Sequence, residues 1–147
     1  MFESINEYSK ISIRRQIMNM VLFAVASGRM KADDKLPSHE KGGEKLGLDP
    51  DMVQRAYKIL IVRGIMYAQG GRGSFISEGI GAKVRNECRE YLAGRFYEVV
   101  CEAKAVGVSA GNVKEIVRAS YDCEDGPYCE VPARIMKLAR EVGALKK

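Results

Sequence analysis

Residues 36–76 read LPSHEKGGEKLGLDPDMVQRAYKILIVRGIMYAQGGRGSFI, and the order of breakers and apolar positions within them decides the fold. Ser38, directly after Pro37, is a helix N-cap, because its hydroxyl can accept an unpaired backbone N–H of the first turn. Gly47 ends the helix that Ser38 opens. Leu48 alone separates Gly47 from Asp49-Pro50, an N-cap with proline at the first helical position, so a second helix starts almost at once. Two helices joined by so tight a turn form a helix-turn-helix. The second helix is expected to run to about Arg63 and to close at Gly64. Val53, Ala56 and Leu60 share its apolar side, while Asp51, Gln54, Arg55 and Lys58 follow i, i+3, i+4 and i+7 on the other. Residues 65–68 and 74–76 are strand-like runs joined by Gln69-Gly70-Gly71-Arg72-Gly73, which gives a glycine-rich hairpin with an arginine at its tip.

Upstream of this stretch, Ile13, Ile17, Met20, Val21 and Ala24 fall at i, i+4, i+7, i+8 and i+11, one stripe of an amphipathic helix that Gly28 stops. Downstream, residues 82–106 read as one long helix. Its Leu92, Phe96, Val99, Ala103 and Val106 alternate steps of four and three, the seam of two packed helices. Gly107 closes it, and Ser109 caps a further helix with Val113, Ile116, Val117 and Tyr121 inward. A last helix is expected from Pro132, carrying Ile135, Leu138, Ala139 and Val142 and ended by Gly143. The chain is therefore expected to be mainly α with a small β-wing: a winged helix-turn-helix over residues 1–78, then a helical region over 79–147.

Composition narrows the function. A length of 147 residues fits one domain, or one with an appendage, and excludes a large multidomain enzyme. With 46% apolar and 29% charged residues the chain is neither disordered nor collagen-like. Lys and Arg outnumber Asp and Glu by 24 to 19, and the net charge of +5 leans toward polyanions such as nucleic acid without deciding the matter. The longest apolar stretch, residues 18–26, is broken by Asn19 and falls short of the ~20 residues a membrane helix needs. Glu3 and Glu7 stand where a secretory signal carries positive charge, so a cytoplasmic protein is expected. Cys88, Cys101, Cys123 and Cys129 read as reduced thiols. Cys123 and Cys129 could instead ligate a metal, but their spacing is not that of a zinc knuckle and the one histidine, His39, is remote in sequence. One histidine, no nucleophile elbow and no phosphate loop with its lysine assemble no catalytic chemistry, so no catalytic residue, metal or cofactor is expected.

Leu36-Pro37-Ser38, Leu46-Gly47-Leu48, Pro50, Val53-Gln54-Arg55-Ala56-Tyr57, Gly64-Ile65 and Gly71-Arg72-Gly73-Ser74-Phe75-Ile76, in that order and spacing, resemble the DNA-binding domain of GntR-family bacterial transcription regulators. The resemblance covers about residues 11–78, and the short C-terminal part is most similar to the YtrA-like subfamily, whose small helical dimerisation unit residues 80–121 match more loosely. It implies a homodimer joined through Leu92, Phe96, Val99 and Ala103, bound to a palindromic operator and repressing a small operon, often one encoding transporters. The seam could also pack only within one chain.

The residues support DNA contact by their own chemistry. Gln54 and Arg55 are side chains able to reach base edges in a major groove, and Lys58 and Arg72 able to meet phosphates. Backbone amides near Ser38 and Asp51 could add phosphate contacts. Gly71 and Gly73 allow the hairpin to approach DNA closely. The bland alternatives are a solvated helix face and a simple tight turn.

Several positions depart from the family pattern. Glu40 stands where the family usually carries a DNA-contacting arginine, and Gly42-Gly43 replace a leucine-alanine pair. Each glycine costs a helix about 1 kcal/mol relative to alanine, so a short or frayed first helix of the motif is expected. Met52 replaces a frequent threonine, Gly70 a frequent basic residue, and Ala32-Asp33 a proline-glycine pair. Two readings follow: a dimeric repressor relying on Gln54, Arg55, Lys58 and Arg72, or a degenerate scaffold that serves as a protein-interaction module.

Overall fold

A computed structural model describes residues 4–122 and Lys137. The element order is α1 (Ile13–Ala26), α2 (His39–Leu46), α3 (Pro50–Val62), β1 (Met66–Gln69), β2 (Gly73–Ile76), α4 (Gly81–Ala105) and α5 (Ala110–Tyr121). Secondary structure is thus mainly helical, with one two-stranded antiparallel sheet in which Met66 faces Ile76 and Tyr67 faces Phe75. The helix ends lie where local chemistry puts them. Ser12, Ser38, Asp49 and Ser109 each accept a first-turn backbone N–H, at Arg15, Lys41, Asp51 and Asn112 respectively. Gly47 closes α2 in the left-handed region at φ +65°, and Gly64 turns the chain after α3 at φ +72°.

The core gathers around α1. Ile17, Met20, Val21 and Ala24 are buried, with Ile13 half-buried at the end of the stripe. Val53, Ala56 and Leu60 of α3, Leu36, Ile65, Met66 and Ile76 complete it. Two polar side chains are buried in α1, and both are satisfied. Gln16 accepts from the Asn6 backbone N–H and donates to the Asn6 and Ile11 carbonyls, each at 2.9 Å. Asn19 donates to the Tyr91 hydroxyl at 3.0 Å.

The chain divides into two compact units, Met1–Tyr91 and Leu92–Lys147, so the division falls inside α4 rather than after the wing. The reason is visible in the first half of α4. Val84 and Cys88 are buried, Glu87 forms an ion pair with Arg63, and Tyr91 packs against Phe23 and under the Arg15 guanidinium. Within the second unit, Ala119 alone among the described residues is buried.

The helix α2 runs eight residues to Leu46, where the sequence reading ends it, with a cap at each end. Gly42 and Gly43 are buried, and a Cβ on Gly43 would stand 2.7 Å from the Leu48 carbonyl oxygen and 3.1 Å from Pro50 Cα. The missing side chain at 43 is what lets the turn fold back onto α2. Tyr121, expected inward, is 84% exposed, although it lines one apolar groove with Val113, Ile116 and Val117. The expected last helix, with Ile135, Leu138, Ala139 and Val142, lies outside the described residues, as do Cys123 and Cys129.

Candidate nucleic-acid interface

The side of α3 away from the core carries the polar residues. Asp51, Arg55 and Lys58 are exposed and Gln54 is half-buried, while Val53, Ala56, Tyr57 and Leu60 hold the opposite side in the core. Tyr57 does more than fill space, because its hydroxyl donates to the Pro37 carbonyl at 3.0 Å. Burial pushes its pKa well above the ordinary phenol value, so it remains a protonated donor. It thereby ties α3 to the entry of α2, a link that sequence reasoning missed because a tyrosine at this spacing reads as plain core.

The entry of α2 is already furnished with acceptors. The exposed Ser38 hydroxyl accepts from the Lys41 amide at 3.3 Å, and Asp49 accepts from the Asp51 amide at 2.8 Å. The amides at 41 and 51, expected as phosphate donors, thus face side chains of this chain. Glu40 lies beside them with its carboxyl held below the usual carboxylate range, first by its own backbone N–H and then by Ser38. His39 Nε2 lies 2.9 Å from a Glu40 oxygen, so a standing negative charge with an ionisable neighbour occupies this corner.

Gly71, Arg72 and Gly73 of the wing are exposed. The Arg72 amide donates to the Gln69 carbonyl at 2.9 Å, closing the turn, with Gly71 at φ +72° and Gly73 at φ +115°. A Cβ is strained in that region whatever the size of the side chain, so the glycines are backbone requirements of the hairpin. Behind the tip, Tyr67 stacks on Phe75 with ring centroids 5.6 Å apart and donates to Asp33 at 2.6 Å. The hydrogen bond to Asp33 raises the Tyr67 pKa.

In the second unit, Phe96, Val99 and Ala103 of α4 line an apolar groove of about 670 Å³ with Val113, Ile116 and Val117 of α5. Leu92, expected in the same seam, is exposed but is not among the lining residues. Among the described residues no group of three His, Cys, Asp or Glu is placed to hold a metal, and no helix is long and apolar enough to cross a membrane.

No protein-family model matches the chain. The transcriptional repressor YtrA of Bacillus subtilis is 28% identical over 123 residues, 83% of this chain and 95% of that protein. The solved YtrA of Sulfolobus acidocaldarius, described as a GntR-family transcription factor, is 29% identical with a TM-score of 0.50, covering 63% of this chain and 99% of that one. The chain is similar to transcription regulators of the GntR family. Within that family the likeness is to YtrA regulators. A GntR family transcriptional regulator from Listeria monocytogenes has the same fold, with a TM-score of 0.60 over 78% of this chain and 98% of that one, at 24% identity. The transcriptional repressor NagR of Bacillus subtilis is 33% identical over 75 residues, which cover 51% of this chain and 31% of NagR, so the match spans less than a third of that relative's length. With a winged helix-turn-helix and this similarity to transcription regulators, the chain is a DNA-binding transcription regulator rather than an enzyme.

Proposed function

We propose that this GntR-like protein is a homodimeric, sequence-specific repressor of a small operon, acting in the cytoplasm on palindromic double-stranded DNA. The observation that carries this reading is the exposed polar side of α3, bearing Gln54, Arg55 and Lys58, on a chain whose wing exposes Arg72. An amide and a guanidinium on α3 can read base edges, while Lys58 and Arg72 meet phosphates. The groove formed by Phe96, Val99 and Ala103 with α5 leaves apolar surface open in a single chain, which supports a second copy as its cover. Two-fold symmetry then sets the two α3 helices about 34–36 Å apart, one turn of DNA.

Glu40 favours a second reading, a winged-helix scaffold that binds proteins in place of DNA, because a fixed negative charge at the entry of α2 repels phosphates. One titration separates the two readings. Fluorescence anisotropy with DNA from upstream of the protein's own coding sequence, beside a scrambled duplex, is expected to show tight binding to the first only, weakening steeply as salt rises. Glu40→Arg is expected to raise the affinity severalfold. Equal, weak binding of both duplexes, unchanged by that substitution, would discard the repressor reading.

A further inference from the structure

The wing is braced by a third segment. Residues 33–36 run beside β2: the Asp33 amide donates to the Ile76 carbonyl at 3.0 Å, the Ile76 amide to Asp34 at 3.1 Å, and the Leu36 amide to Ser74 at 2.9 Å. Lys35 lies opposite Phe75, which lies opposite Tyr67, so the three side chains share one face of the sheet. Their neighbours Leu36, Ile76 and Met66 are buried on the other face.

From this row the Lys35 side chain runs toward the hairpin tip. Its Cε stands 3.0 Å, and its Nζ 3.8 Å, from the point where a Cβ on Gly73 would be. The space that Gly73 leaves vacant is thus taken by the lysine stem, which brings an ammonium to the residue next to Arg72. Lys35 and Arg72 are both exposed, and no carboxylate pairs with either among the described residues. Two unneutralised cations at one tip raise the local positive potential where a polyanion would meet it.

We propose that Lys35 is a DNA-backbone contact of the wing, and that Lys35 and Arg72 together grip the phosphates beside the groove that the tip enters. A lysine ammonium suits this role as a compact point charge with no demand on base identity. The proposal rests on the DNA-binding reading and adds a residue outside the helix-turn-helix and hairpin motifs.

The test compares the full chain with Lys35→Met, Lys35→Arg and Arg72→Met, using the upstream duplex and a random-sequence duplex in a salt titration. Methionine keeps an apolar stem over Gly73, so a purely packing role for Lys35 would leave the salt dependence unmoved. Lys35→Met and Arg72→Met are each expected to flatten the slope of log affinity against log salt by about 0.9, and to weaken both duplexes by the same factor. Lys35→Arg is expected to keep the wild-type slope. Should Arg72→Met flatten the slope while Lys35→Met leaves it at the wild-type value, the role of Lys35 is wrong and the DNA-binding reading stands. Absence of salt-dependent binding by the wild type to either duplex would remove both.

Discussion

Tyr57 shows how a single side chain fixes the geometry of the motif. Its ring is buried beneath α3 and its hydroxyl donates to Pro37, so the segment leading into α2 and the helix α3 are held together by one bond. Tyr57→Phe keeps the ring and removes the donor, and is expected to cost about 1 kcal/mol in a urea melt. The pH dependence follows from the raised pKa. Stability contributed by the neutral phenol is fully present below the unfolded value of about 10 and is lost as pH rises above it. The wild-type urea midpoint is therefore expected to fall in alkaline buffer, and Tyr57→Phe to fall less; parallel curves for the two proteins would show that Tyr57 is not the titrating group. Tyr67 is shifted in the same direction by its hydrogen bond to Asp33. At the same scale the Glu40 carboxyl is held below the usual carboxylate range by its own backbone N–H and by Ser38.

At the scale of elements, the helix-turn-helix was legible because each boundary depends on neighbours within about four residues. Ser38, Gly47, Asp49-Pro50 and Gly64 act through their own dihedrals and hydrogen bonds, and the structure ends its helices at them. The meaning of Gly43 was not legible. Counted by helix propensity it looked like a weakness; in the fold it marks a point where α2 lies so near the turn backbone that a Cβ would stand 2.7 Å from the Leu48 carbonyl oxygen. Gly43→Val is expected to destabilise the protein by about 1–3 kcal/mol, because a backbone carbonyl cannot swing aside as a side chain can. A thermal midpoint equal to that of the wild type would contradict this. The candidate DNA-contact residues were legible for the same local reason as the caps: a polar stripe at helical spacing and an arginine between glycines are patterns of nearest neighbours. Lys35 was passed over because its strand pairing with Phe75 joins segments far apart in sequence.

For the whole molecule, the two halves of α4 belong to different settings. The first half is anchored by Val84, Cys88 and Tyr91, and burial raises the Cys88 thiol pKa, which leaves it a packing residue. The second half leaves Phe96 51% exposed beside an open apolar groove. If a second copy covers that groove, Phe96→Asp puts a charge into a desolvated interface, and light scattering should report a mass half that of the wild type. A mass that the substitution does not alter would reject this interface.

The sequence by itself determined the caps, breakers, helix stripes and hairpin, and with them a winged helix-turn-helix, since these depend on interactions that close within a few residues. Only the tertiary structure decided that Gly43 must be small, that Tyr57 secures Pro37, that the stem of Lys35 crosses Gly73, and that α4 is divided between two units. Each of those depends on how closely segments distant in sequence approach one another once the core around α1 has packed, and a distance of that kind is set by the sum of the side chains between them rather than by any local pattern.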